Sequence, residues 1–435
     1  MARDILREFS VALQDRALDP AVQADRTLYV DDLHPQADGC DLIVQLADQI
    51  DWDEGGGTYL FTGPTGSGKT TELHRLRKVL ADRGMDVFFV DLGQHLHLDS
   101  PVAITDFLLA VMEGFGDDVR ATKGANVLTR NYFERLAGFL QTDVKIEEIG
   151  VSANVADVKL ALRQDPDFKQ RLQERSRNHV SRLVAEAREF VRDTLRAVEG
   201  ANSGAKRKTI LIVDSAEKIR GLGDQATTVY RSVHDLFARH AENLRFTGLH
   251  VVYTVPQYLM ALGGNIASLY SSGTVYALAS VHLFARRSRA PETAGLERMV
   301  EVVARRFPEW EQVFQASLLK DIALRSGGDI RDYFRMLRLC LGKASQKRVG
   351  QETPRVTEEI KNGAIAMARR DMLPIADKDL VWLRRIASTH DPSLPEVADL
   401  VTFARFCDGK TVLNYRNGDD WFDVHPLIWD NVGSA

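Results

Sequence analysis

TYLFTGPTGSGKTTEL, residues 58–73, runs from an apolar strand-like stretch through closely spaced glycines into a helix-like stretch. Gly57, Gly63, Gly66 and Gly68 leave the backbone unusually free here. The stretch fits the phosphate-loop template of glycine, four residues, glycine, lysine and a hydroxyl residue, with Gly63, Gly68, Lys69 and Thr70 at the fixed positions. Glycines let main-chain N–H groups converge on a polyphosphate with no Cβ in the way, and the helix that follows adds the positive end of its dipole. The span that would cradle the phosphates is Gly63, Pro64, Thr65, Gly66, Ser67, Gly68, Lys69, Thr70 and Thr71. In this reading Lys69 stands exposed until it reaches the β and γ phosphates, and the Thr70 hydroxyl is a magnesium ligand. The alternative is an ordinary glycine turn. Against it stand Tyr59, Leu60 and Phe61 as a buried strand, and Leu73, Leu76, Val79 and Leu80 at helical spacing after the loop.

A phosphate loop needs a second strand whose acidic end serves the metal shell. KTILIVDSAEKI supplies Ile210, Leu211, Ile212 and Val213 leading to Asp214. Ser215 follows directly, so the next acid, Glu217, is the candidate that activates water; its other reading is a first-turn acid favoured by a helix dipole. GLHVVYTVPQYL reads as a further buried strand ending at Thr254, whose hydroxyl would either reach the γ-phosphate and its attacking water or cap the next segment. A fifth strand is expected around Val275 to Leu278, and the order of elements is that of a parallel α/β sheet covered on both faces. In RSGGDIRDYFRMLRLCLGKAS, Gly327 and Gly328 end one helix and Asp329 caps the next. Arg331 then sits in a first turn, where a cation asks for an anionic partner: a phosphate, or a local ion pair with Asp329 or Asp332.

The 435 residues suffice for two or three domains. With 44% hydrophobic and 27% charged residues, the composition is that of a globular protein. MARDILREFSVALQDRALDP lacks a signal-peptide core, and no stretch approaches roughly 18 apolar residues, so a cytoplasmic protein without a membrane span is expected. Cys40, Cys340 and Cys407 stand far apart and suggest neither disulfides nor a zinc site.

Taken in this order, GPTGSGKT, LIVDSAEKI, a Thr-tipped strand and SGGDIRDYFRML resemble the AAA+ and STAND class of P-loop ATPases, nearest in flavour to the origin-recognition type and its bacterial relatives. The resemblance covers roughly residues 27–345. It implies ATP and Mg2+ as cofactors, Thr70 and Asp214 as metal ligands, Lys69 and Glu217 in catalysis, and Thr254 and Arg331 as the two phosphate sensors. Ser215 in place of an adjacent Glu departs from the motor-like members and suits a slow nucleotide switch. Arg286, Arg287 and Arg289 are candidates for an arginine finger. Proteins of this look stand beside effector genes in bacterial antiphage defence, one setting the resemblance implies.

The expected organisation is an N-terminal helical segment (1–26), a P-loop ATPase core (27–290) with an insertion at about 115–206, a small helical lid domain (291–370) and a winged-helix-like domain (371–435). More than a hundred residues separate the second strand, DVFFVDL, from KTILIVD, far beyond one crossover helix. Within them, DVKIEEIGVSANVADVKLAL reads as a β-hairpin and Phe168 to Val198 as one long arginine-rich helix, its apolar stripe packed on the core or offered to a partner. Near the end, KTVLNYRNGDDWFDVHPLIWD reads as an exposed hairpin turning at Asn417-Gly418. Helices before such a hairpin resemble a winged helix, which suggests duplex DNA. Charge opposes that: from Asp371 onward there are six basic and eleven acidic residues, a net of −5 equal to the formal charge of the whole chain, whereas DNA affinity is largely phosphate neutralisation. Trp421, Phe422 and Trp429 are expected to pack the hairpin or meet protein. The reading is a switch that works with a protein partner or effector subunit, in a homo-oligomer or hetero-complex. A DNA-loading initiator, a non-catalytic scaffold stabilised by ATP and, less well supported, a small-molecule kinase are the rivals.

Overall fold

The computed structural model describes residues 4–34, 39–128, 146–149, 151, 155–221, 223–262, 266–347, 355–392, 399–417 and 419–433. The fold is α/β, built on a five-stranded sheet. The sheet's strands are β1 (Thr58–Thr62), β2 (Asp86–Asp91), β3 (Thr209–Asp214), β4 (Leu249–Thr254) and β5 (Val275–Ala277), in the order β2-β3-β4-β1-β5. The pairs β1–β4, β4–β3 and β3–β2 are parallel, with Phe61 opposite Thr254 and Asp91 opposite Asp214. Parallel strands end on one edge of the sheet, and in open α/β sheets ligands bind beyond that edge. The central strands β1, β3 and β4 are buried along their whole length, which is why they read as unbroken apolar runs, whereas the edge strand β2 alternates between buried and half-buried.

The chain divides into two compact units. One holds residues 44–62 and 76–276. Here helix Ile104–Lys123 lies on β2 and on helix Val180–Ala201, with Phe115 edge-on to Phe88 and Phe190, and with Phe107 against Phe237 and Tyr253. The insertion belongs to this unit and corrects two expectations. No hairpin forms among its described residues: a short 3-10 turn at Ile146–Ile149 is followed by helix Val155–Gln164, while Val144 lies outside the described residues. Val158 and Leu162, four residues apart, are both buried on the helix, a spacing that the short alternating pattern did not separate from a strand. The long helix is two, Pro166–Ser176 and Val180–Ala201, broken by a 3-10 turn at Arg177–His179. The apolar face of the second, including Leu183, Ala187, Phe190 and Val198, is buried, which leaves no apolar stripe on that face for a docking arm.

The other unit holds residues 1–43, 63–75 and 277–435. Four helices, Thr293–Arg306, Ala316–Ser326, Ile330–Gln346 and Glu358–Arg370, enclose a core that also takes in the first helix, Ile5–Ala12. Phe9 stacks on Phe307 at 4.4 Å and meets Phe314 edge-on. The antiparallel hairpin β6 (Val412–Asn417) and β7 (Asp419–Val424) packs on helix Asp377–Thr389. It is not an exposed arm: Leu413, Tyr415 and Trp421 sit in the same core as the helices, Tyr415 stacks on Trp421 at 4.6 Å, and Phe422 is buried. The aromatic residues therefore fill the interior, and removal of the tail would strip the core of this unit.

Candidate nucleotide site

The phosphate loop leaves β1 at Gly63 and enters helix Lys69–Asp82. Its glycines are required by space. A Cβ on Gly63 would stand 2.3 Å from the Leu278 carbonyl oxygen, and one on Gly66 would stand 2.6 Å from both carboxylate oxygens of Asp329, at a φ of +95°. Within the loop, the Ser67 hydroxyl donates to the Pro64 carbonyl at 2.9 Å. Lys69 is not exposed. Its ammonium donates to the carbonyls of Gly63 at 2.9 Å and Pro64 at 3.0 Å, and the residue is only 5% exposed. A buried ammonium needs acceptors, and with its own loop in reach Lys69 folds back onto it. Thr70 is half-buried at the helix start, and the Thr71 hydroxyl accepts from the Leu18 N–H at 3.0 Å, tying the N-terminal segment to the loop.

The side chain set against the loop is Asp329, the helix cap, rather than Arg331. Asp329 Oδ1 accepts the Asp332 N–H at 2.8 Å, and Ile330 reaches the space beside Gly68. Lys410, in the turn before β6, places its Nζ 2.9 Å from Asp329 Oδ2 and 3.2 Å from Asp332 Oδ2. Burial raises the Asp329 carboxyl and Lys410 acts against that rise. Arg331 is exposed and pairs with neither of the aspartates considered for it but with Asp15. Of the finger candidates, Arg289 holds Asp423 with two bonds of 2.7 Å and lies over the Trp429 ring, and Arg286 stands 3.5 Å from Asp419.

A cavity of about 300 Å3 opens beside the helix that follows the loop, lined among others by Tyr29, His34, Asp41, Glu72 and Arg75. The Tyr29 hydroxyl donates to Glu72 Oε1 at 2.7 Å; Arg75 donates to Glu72 Oε2 at 3.0 Å and pairs with Asp41. Burial raises the Glu72 carboxyl and pulls the His34 imidazole down to about 4. Asp41 and Lys410 had no signal in the sequence beyond their charge, because their partners come from far along the chain; Glu72 has one partner a helical turn away in Arg75 and another, Tyr29, that the sequence does not link to it.

In the other unit the tips of β3 and β4 are joined. The Thr254 hydroxyl, fully buried, accepts the Ala216 N–H at 3.1 Å, which fixes the short turn Ala216–Lys218 that carries Glu217. Ser215 takes a left-handed φ of +74° and its hydroxyl accepts from Lys218 at 2.8 Å. Asp214 and Glu217 are both buried. The hydroxyl at the strand tip thus has a place in the chain's own scaffold.

No protein-family model matches the sequence, and no curated protein does. Among solved structures, the chain is similar to the ORC2 protein of Aeropyrum pernix in its ADPNP–ADP complexes, at 11% identity over 97% of this chain and 95% of that chain, with a TM-score of 0.42. It is also similar to a Walker-type ATPase of Pyrococcus abyssi, at 12% identity over 97% and 99%, TM-score 0.46, and to the ORC1 protein of Aeropyrum pernix in complex with DNA, at 15% over 93% and 94%, TM-score 0.35. Likenesses this loose assign no role to any residue of this chain. Among the described residues no helix is long and apolar enough to cross a membrane.

Proposed function

We propose that the chain binds and slowly hydrolyses ATP as an AAA+/STAND-type switch that controls assembly with a protein partner. The observation that carries this reading is the phosphate loop itself: three glycines that tolerate no Cβ or hold φ near +95°, a buried lysine on carbonyls of the same loop, and a helix starting at that lysine. Phosphate oxygens would take over Lys69 from the carbonyls of Gly63 and Pro64. The Thr70 hydroxyl and the Asp214 carboxylate are hard oxygen donors of the kind magnesium takes, and the ion would offset phosphate charge. Glu217 would accept a proton as water attacks the γ-phosphorus in line and the bond to the ADP oxygen breaks. Thr254 would hold the turn that carries Glu217, and Arg331 would stabilise phosphate charge after leaving Asp15. The cavity at Tyr29, Asp41 and Glu72 has room for the rest of a nucleotide. Ser215, buried and left-handed where fast ATPases carry an acid, supports a switch over a motor.

The DNA-loading alternative finds less support. The exposed face of helix Val180–Ala201 alternates Arg182, Arg188, Arg192 and Arg196 with Glu189, Asp193 and Glu199, a mixed surface and not a basic stripe. A role beside an effector in antiphage defence remains one setting for such a switch.

A paired experiment tests the reading. Saturating ATP-magnesium, at about 100 times its dissociation constant, should stabilise the wild type by roughly 2.7 kcal/mol. Lys69→Ala should remove that thermal shift, while Glu217→Gln should keep it and lower turnover by about 10² or more. An equal shift in wild type and Lys69→Ala would sink the assignment.

A further inference from the structure

We infer that Lys410 is a positioning residue of the nucleotide site: it supplies the counter-charge that lets a polyphosphate enter a loop whose wall is a buried carboxylate. This rests on the phosphate-loop reading above. Asp329 is fully buried and stands against Gly66 so closely that a methyl group would not fit between them. A polyphosphate cradled by Gly66 would therefore meet a carboxylate across a contact, in surroundings where like charges repel strongly. Asp332 adds a second carboxylate one helical turn on. It is shared with Arg335 at 3.3 Å and approached by His425 at 3.8 Å, an imidazole that burial pulls down to about 4 and so keeps neutral at pH 7.

Among the described residues, Lys410 is the cation paired with Asp329. It spans both carboxylates, is nearly buried, and is held at a φ of +55°, a left-handed conformation that a non-glycine residue keeps only where its surroundings enforce it. Without Lys410, Asp329 would be a buried, uncompensated charge facing the incoming phosphates. The residue lies some 340 positions after the loop, in the turn before β6, so the seating of the C-terminal hairpin and the charge balance of the phosphate loop depend on one ammonium.

The same contacts would exist if Lys410 were only a clamp, and a charge-rescue experiment separates the two. ATP-magnesium binding is measured by calorimetry on the full chain, with unfolding followed in parallel. Lys410→Met should weaken ATP binding by tenfold or more, about 1.4 kcal/mol. Adding Asp329→Asn, which keeps a helix-capping side chain but removes the charge, should bring affinity back to within about threefold of wild type. If Lys410→Met is too unstable to assay, Asp329→Asn alone serves: it should bind ATP more tightly than wild type. Wild-type affinity in Lys410→Met, persistent weakness in the double variant, or no gain in Asp329→Asn would each overturn the inference. None of these outcomes touches the phosphate-loop reading, which fails only if wild type does not bind ATP or Lys69→Ala binds it equally.

Discussion

Two lysine–aspartate pairs built on a fully buried aspartate, one in each compact unit, show how the same two side chains acquire different work from their neighbours. In the insertion, Lys169 stands 3.4 Å from Asp106 and also donates to the carbonyls of His97 at 3.0 Å and Ser100 at 3.3 Å and to the Ser100 hydroxyl at 3.1 Å. Asp106 in turn accepts from the Ala103 N–H at 2.8 Å and from Gln173 at 3.1 Å. Every group there is fixed by scaffold, and charge balances one to one. Lys410 instead serves two carboxylates, one of them against the phosphate loop. The first pair is closed on itself; the second can respond to an added charge.

The largest effect should come from breaking the closed pair. Lys169→Met leaves Asp106 buried without its cation and should lower unfolding stability by about 3–5 kcal/mol, read from denaturant midpoints, while ATP affinity of the folded fraction stays at the wild-type value. A parallel loss of ATP affinity would erase the distinction between the two pairs.

Acid should act on the second pair more than on the first. His425, facing Asp332, Lys410 and Arg335, has its pKa pulled down to about 4 by burial. Unfolded, it takes up a proton near 6.5; folded, it resists until about 4, so the unfolded state binds more protons between those values. Stability should then fall as pH drops from about 6.5 to 4, by roughly 3 kcal/mol in all. His425→Gln should flatten that slope in urea titrations across the window; an unchanged slope would assign the acid sensitivity elsewhere.

A smaller change should follow at a neutral bond. Thr254→Val removes the acceptor of the Ala216 N–H and should cost about 1–3 kcal/mol. Turnover should fall with it if the turn carrying Glu217 loosens, and unchanged turnover would separate Thr254 from the chemistry.

Much of the sheet was legible. β1, β3 and β4 are continuous apolar runs because both faces are covered, and the glycines between β1 and the following helix are visible in the sequence by their spacing, although the groups that crowd Gly63 and Gly66, Leu278 and Asp329, come from far along the chain. The insertion was misread because eight residues around Val155 to Leu162 satisfy period two and period 3.6 nearly as well. The C-terminal hairpin was placed correctly at its strands yet read as exposed, since the core that Tyr415 and Trp421 join is built largely from residues distant in the chain, Phe284 among them. Arg331 reads as a first-turn cation that calls for an anion, and in this structure the anion it meets is Asp15, from the opposite end of the chain.

What the sequence determined by itself was whatever depends on residues adjacent in the chain: a phosphate loop between strand and helix, an acid at the tip of a buried strand, a hydroxyl at the tip of the next. Only the tertiary structure decided which charges face the loop. Asp329 and Lys410 are some 80 residues apart, and a helix cap and a surface-looking lysine carry no local mark of each other. Their pairing comes from the packing that brings the turn before β6 onto the start of helix Ile330–Gln346, and burial then makes one ammonium between two carboxylates count.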